Sequence, residues 1–305
     1  CKNPNCPECG AVDKEIWIHK QERFTLNVNY FHVVFTIPNE LNILCLMDPK
    51  FMYKALFDVS AETIKELSKD KKYLGAKIGF TSVLHTWGQN LSLHPHIHMI
   101  VPGGGIDSNG KWKNSKKKFF LPVKVVSKLF KGKFLSYTKK NFDQRKIKDE
   151  EQFQNIINTC YSKDWVVYTK KPMKSAKHVV KYLGRYTHRI AISNARIKKY
   201  EDNKVTFSYK DYSDHNKIKE MTLEDTEFFR RYMMHVLPSN FMKIRHYGFL
   251  GNRNKEERIQ AVRTATNTKD LAPLLIDYEQ IISDILKRDV SICIKCGQKR
   301  HRQLE

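Results

Sequence analysis

His96-Ile97-His98-Met99-Ile100-Val101, stopped by Pro102-Gly103-Gly104-Gly105, is the stretch from which the rest of the chain is read. Its β-branched and apolar residues, ended by a proline and three glycines, predict a strand followed by a turn. Residues i and i+2 of a strand point to the same face. His96 and His98 therefore offer two imidazoles to one divalent ion, while Ile97 enters the core. Ile78 to Trp87 reads as the preceding strand, and Gly88 to Pro95 as the connecting turn. His94 shares the parity of His96 but falls at the turn, where it reads as a support for the site or a contact to a ligand.

Working outward, Phe31-His32-Val33-Val34-Phe35-Thr36-Ile37 reads as a buried strand that stops at Pro38. Met52, Ala55, Leu56, Val59, Ile64 and Leu67 recur near a 3.6 period after Asp48-Pro49, predicting a helix over 51–69. Asp107-Ser108-Asn109-Gly110 marks a hairpin with short arms. The stretch 123–163 carries helical patterning with heavy lysine and reads as an insertion. Trp165-Val166-Val167-Tyr168 is a further expected strand, and Pro172 is expected to start a helix running through Tyr186. Ile190-Ala191-Ile192 and Val205-Thr206-Phe207-Ser208-Tyr209 read as paired strands turning at Glu201-Asp202-Asn203. Helices are expected over 223–237, 255–266 and 276–288. Strands and helices mixed with antiparallel hairpins define an α+β class, without repeats or low-complexity sequence.

The second informative stretch is Tyr182-Leu183-Gly184-Arg185-Tyr186. Positions i and i+4 share a helix face, so both phenolic oxygens can present to one site. His178, one helical turn earlier, is a candidate proton relay. Arg185 and Arg189 beside the tyrosines can clamp phosphates, and Arg245-His246-Tyr247 joins a cation to an aromatic ring, a combination that stacks unpaired bases.

Composition points the same way. The 305 residues carry 55 Lys+Arg against 32 Asp+Glu, a net charge of +23, and 41% are hydrophobic, enough for a sizeable core. The basic excess recurs in blocks along the chain, as expected of a protein that sits on polyphosphate, so nucleic acid is the first partner to test. No apolar run approaches the ~18 residues of a membrane span, and no signal pattern opens the chain, which makes the cytoplasm the default compartment. In that compartment Cys6-Pro7-Glu8-Cys9-Gly10 and Cys293-Ile294-Lys295-Cys296-Gly297 favour structural zinc, because two thiolates two residues apart can bite one tetrahedral ion. Cys45 and Cys160 read as core thiols.

Leu84-His85-Thr86-Trp87-Gly88-Gln89, His94 to His98 with Val101 to Gly105, Tyr182 to Arg189, and Ile244-Arg245-His246-Tyr247-Gly248-Phe249-Leu250 together resemble the rolling-circle, two-tyrosine HUH transposases of the insertion-sequence-ninety-one type, relatives of Helitron and Rep nucleases. The resemblance covers roughly residues 30 to 255. It implies an HUH-nuclease core, a central mainly antiparallel sheet flanked by helices, with small zinc-binding elements at the termini. It implies Mg²⁺ or Mn²⁺ at His96 and His98, and a third ligand on the preceding strand, where His85 is the first choice and Gln89 the second. Tyr182 and Tyr186 are the expected nucleophiles, leaving 5′-phosphotyrosine. Lys181, Arg185, Arg189, Arg245 and Tyr247 are the expected contacts to single-stranded transposon ends.

Cys1, Cys6 and Cys9 resemble the tail of the family's N-terminal zinc module. Either upstream residues complete that site, or the N-terminal cysteines share one ion with Cys293 and Cys296; spacing leaves both open. The resulting division is 1–22 for the zinc tail, 23–255 for the nuclease domain with its lysine-rich insertion at about 113–163, and 256–305 for a helical C-terminal region with the second cysteine pair. A replication initiator or relaxase shares the nicking chemistry, but the triple glycine, the Arg245 block and the lack of a P-loop favour a transposase. A non-catalytic zinc-dependent DNA-binding regulator is the rival from another class. Oligomeric state stays open.

Overall fold

Three stretches rich in valine, isoleucine and phenylalanine form the centre of the molecule: β1 (Tyr30–Thr36), β2 (Phe80–Trp87) and β3 (Leu93–Pro102). The computed structural model describes residues 10–116, 120–147, 149–173, 180, 184, 191–268 and 277–299. With β6 (Val167–Met173) and β10 (Ile244–Tyr247), these strands make a five-stranded sheet in the order β10-β2-β3-β1-β6, and every pairing is antiparallel. The registers place His85 and Thr36 opposite His96, Val83 and Val34 opposite His98, and Thr81 and His32 opposite Ile100. The period of two puts all of these side chains on one face. Phe31, Val33, Phe35, Phe80, Leu84, Ile97, Met99 and Val101 line the other and belong to the main core.

That second face is covered by helices. α2 (Asn42–Met47) and α3 (Pro49–Lys69) follow β1, and Asp48 caps α3 by accepting the Phe51 backbone N–H at 3.0 Å, with Pro49 in the first turn. The lysine-rich stretch supplies α4 (Val123–Asn141), which packs beside α3, and α5 (Glu150–Ser162), which packs on α4, both contributing to the same core as the sheet. Phe130, Phe134 and Phe153 are fully buried there, each burial stabilising by about 1.5–3 kcal/mol, while the lysines face water. Cys45 and Cys160 lie in this core, and burial pushes the Cys160 thiol up to about 11.

The histidine face is covered differently. α1 (Gly10–Glu22) brings Trp17 against Tyr30, Val83 and Ile100, and packs along α8 (Tyr278–Leu286). A small satellite core joins Leu26, Phe249 and Leu250 to Ile259 and Val262 of α7 (Lys255–Thr266). β4 (Gly104–Ile106) and β5 (Trp112–Asn114) are the short-armed hairpin at Asp107 to Gly110. A Cβ at Gly104 would lie 2.5 Å from the Lys113 carbonyl oxygen, so the close approach of these arms requires glycine there.

Two expected elements are displaced. β6 runs through Pro172 to Met173, so no helix starts at that proline. Its register against β1 shifts between Tyr30 and His32, and on an edge strand such a bulge accommodates a residue without an N–H. Ala191 and Ile192 form no strand either. They are buried with Leu91, Val205, Phe207 and Phe228 in a second core, and the strand that pairs with β8 (Lys204–Asp211) is β7 (Ile197–Glu201). Asp202 and Asn203 turn between them with φ of 48° and 57°, the left-handed pair of a type I′ hairpin. β9 (Lys217–Glu224) adds a third strand, and α6 (Asp225–Met233) packs Phe228 against Phe207.

Candidate metal centre

β3 presents His96 and His98 from one strand and β2 presents His85 from its neighbour. The ligand-capable nitrogens of all three lie within 4.8 Å of one another. His96 Nε2 and His98 Nε2 face each other at 3.1 Å. Two cis ligands on bonds of about 2.1 Å are separated by about 3.0 Å, so this edge has the length that a shared divalent ion requires. His85 closes the third side, edge-on to His98 with ring centroids 4.5 Å apart, and its outer flank stacks on Trp87 at 4.4 Å. Three imidazoles suit Mn²⁺ as well as softer ions, and Mg²⁺ would need oxygen from substrate or water to complete its octahedron.

Each of the two β3 histidines has its other nitrogen engaged. His96 Nδ1 donates to the His94 carbonyl oxygen at 2.6 Å, and His98 Nδ1 meets His32 Nε2 at 2.8 Å with the two rings nearly coplanar, 13° apart. Such partners orient the ring and decide which nitrogen carries the proton. Burial holds the site neutral: it lowers the His96 imidazole to about 4, and burial with the neighbouring histidines lowers His98 well below its usual value. Neutral imidazoles are the metal-binding form. His94 acts here through its backbone, and its ring lies tilted 5.2 Å from that of His96.

His32 escaped the sequence reading. One signal was available: it is a single polar residue inside an apolar strand, only 3% exposed, and such a group needs a buried partner. Gln89 sits in the β2–β3 turn, where its carbonyl oxygen receives Arg196.

Arg245 and Tyr247 lie on the helix-covered face of β10, away from the histidines. Arg245 reaches Asp58 at 3.3 Å and stacks over Phe57 at 4.2 Å, while Tyr247 stacks on Phe80 at 4.8 Å. Both are engaged in packing between sheet and α3. Lys181, Tyr182, Arg185, Tyr186 and Arg189, with His178, lie outside the described residues. Two residues of that segment are described, both helical and buried: Val180 lines a narrow cleft with Trp17, Tyr30, Thr81 and Ile100, and Gly184 lies against Ile18 of α1, where an added Cβ would approach Cδ1 to 2.3 Å. Ile100 is two residues from His98 on the same face.

Cys1, Cys6 and Cys9 also lie outside the described residues. Cys293 and Cys296 are on a tight loop closed by an Ile292–Lys299 bridge, in which the Cys293 N–H donates to the Gln298 carbonyl at 2.8 Å and the Gly297 N–H to the Cys293 carbonyl at 2.9 Å. Gly297 has φ of +69°. Such a backbone turn can bring two thiolates to one tetrahedral ion, and neither cysteine is in a disulfide. No helix among the described residues is long and apolar enough to cross a membrane.

An α+β core whose central antiparallel sheet carries a histidine triad of this kind fits the HUH class. The family described as "Putative transposase" matches residues 79–258, and the "Transposase zinc-binding domain" matches residues 1–37. The chain belongs to the two-tyrosine, rolling-circle transposase family of the insertion-sequence-ninety-one type. It is 38% identical to "Putative transposase y4qJ" of Sinorhizobium fredii (strain NBRC 101917 / NGR234), across 98% of this chain and 78% of that protein. It is 28% identical to "Transposase for insertion sequence element IS801" of Pseudomonas savastanoi pv. phaseolicola, across 98% of this chain and 73% of that protein. No solved structure matches the chain significantly.

Proposed function

We propose that this transposase cuts and rejoins single-stranded DNA at transposon ends through 5′-phosphotyrosine intermediates, with Tyr182 and Tyr186 as nucleophiles and His85, His96 and His98 as metal ligands. The observation that carries the reading is the 3.1 Å Nε2 to Nε2 edge of His96 and His98, closed by His85. The described residues Val180 and Gly184, which flank Tyr182, support it: Val180 shares a cleft with Thr81 and Ile100 of the face that bears the histidines, and Gly184 lies against Ile18 of α1, the helix that covers that face.

A divalent ion, Mg²⁺ or Mn²⁺, supplies Lewis-acid polarisation of the scissile phosphate. The three imidazoles hold it in their neutral form. A tyrosine oxygen attacks phosphorus, the bond to the 3′ oxygen breaks, and the phenolic proton is lost as the leaving oxygen gains one. The phosphotyrosine keeps the bond energy for rejoining to a free 3′-hydroxyl. Two tyrosines let one hold the donor strand while the other cuts a second. Lys181, Arg185 and Arg189 are assigned to phosphate contacts. Cys1, Cys6 and Cys9, with Cys293 and Cys296, are assigned to structural zinc.

The test is covalent capture of an end-labelled single-stranded oligonucleotide carrying a transposon end. Wild-type protein with Mn²⁺ should give a 5′-linked adduct that survives denaturation, and Tyr182→Phe with Tyr186→Phe should remove it while binding of the strand persists. An adduct in the double variant would assign the nucleophile elsewhere.

A further inference from the structure

We propose that His32 of β1 is a positioning residue that fixes His98 as a metal ligand by accepting its Nδ1 proton, an inference that rests on the metal reading of the triad. A neutral imidazole carries one proton shared between two possible sites, and the nitrogen that lacks it is the one able to bind a metal. His98 must therefore hold its proton on Nδ1 if Nε2 is to face His96 Nε2 as a ligand. Against His98 Nδ1 lies His32 Nε2, at 2.8 Å and nearly in the ring plane. An acceptor at that point selects the required tautomer and leaves His32 itself protonated on Nδ1.

The arrangement is dictated by register. His32 stands opposite Ile100, so its side chain lies diagonal to that of His98 on the same face. At 3% and 8% exposure, His32 and His98 exchange this contact away from water, where a wrong tautomer has no solvent partner to fall back on. His96 receives the same service from the backbone carbonyl of His94, which no substitution removes. His98 depends on a side chain from another strand.

His32→Phe keeps the ring and deletes the acceptor, whereas His32→Gln places an amide oxygen near the position of Nε2. Mn²⁺ binding, followed by the electron paramagnetic resonance of the free ion, should weaken about 10- to 100-fold in His32→Phe and recover most of that loss in His32→Gln. Long-range proton–nitrogen spectra of metal-free wild-type protein should show His98 protonated on Nδ1. Equal Mn²⁺ affinity in His32→Phe and wild type would overturn the assignment, as would a His98 protonated on Nε2 in the wild type. His96→Ala separates the two levels of the argument. If that variant binds Mn²⁺ as wild type does, the metal reading of the triad fails; if it loses Mn²⁺ and His32→Phe does not, only the role of His32 fails. The wild-type spectrum decides the matter even where His32→Phe does not fold.

Discussion

A side chain on a strand has one choice of face, and at the residue scale that restriction builds the histidine triad. His96 and His98 meet because they are two apart, and His85 joins them because the β2–β3 register sets it directly opposite His96. The consequence is testable residue by residue. His96→Ala and His98→Ala should each abolish the covalent adduct in the presence of Mn²⁺ while leaving affinity for the strand near wild type, because the basic surface supplies most of that affinity. Adduct yield and filter binding on the same oligonucleotide read the two quantities separately. Full Mn²⁺-dependent nicking in either variant would remove the pair from the site. His85→Ala should lose adduct comparably; a loss no greater than a surface control would move the third ligand to Gln89.

At the element scale the glycine after β10 shows how tightly the sheet edge is held. Gly248 has φ of +61°, and a Cβ there would lie 1.8 Å from the Ile78 carbonyl oxygen. Gly248→Ala combines left-handed strain with a backbone clash and should destabilise by more than the ~1–3 kcal/mol that strain alone costs, measured as a shift in urea midpoint. The C-terminal knuckle makes a second prediction: the purified protein should contain zinc that withstands washing with Mg²⁺ and leaves with a strong chelator, and elemental analysis finding none would contradict it. These elements were unequally legible in the sequence. β1, β2 and α3 could be read almost to their ends, whereas β3 starts at Leu93, so that Leu93, His94 and Pro95 belong to the strand and not to the expected turn. β7 could not, because Ile197-Lys198-Lys199-Tyr200-Glu201 is exposed throughout and has no alternating pattern to reveal a strand. The nearby Ile190-Ala191-Ile192 drew the expectation instead, since three apolar residues look alike whether they fill a core or a ladder. The second half of β6 was hidden by Pro172, whose meaning depends on an edge position and a bulge that only pairing reveals. At the site, His96 and His98 were legible from spacing and His85 from the family resemblance, but Arg245 and Tyr247 were assigned to nucleic acid from residue type alone. Their parity on a strand that had not been foreseen turns them toward α3.

For the whole molecule the decisive quantity is charge, both the +23 on its surface and the protons its interior refuses. The surface charge should make DNA affinity fall steeply with added salt, by counterion release. The interior works in the opposite compartment of the pH scale. Burial lowers His96, His235 and His246 to about 4, and His98 falls well below its usual value. His235 is 1% exposed, held between Thr86 at 3.2 Å and the Leu91 carbonyl oxygen at 3.1 Å, so it joins β2 to the second core. In the unfolded chain each of these groups titrates near 6.5. Between that value and about pH 4 the unfolded chain binds protons that the folded one excludes, and linkage then makes stability fall with pH. The contribution is present in full above about pH 7 and is lost as the pH drops through this window, with His235 alone accounting for on the order of 3 kcal/mol. Urea unfolding at pH 7.5, 6, 5 and 4.5 should therefore show a progressive loss of stability that begins above the range in which carboxylates titrate. His235→Gln, which retains a donor and an acceptor but has no proton to gain, should unfold with a shallower pH dependence than wild type. A midpoint that stays level from pH 7.5 to 5, or an unchanged slope in His235→Gln, would mean that these imidazoles are reached by water and charged in the folded state.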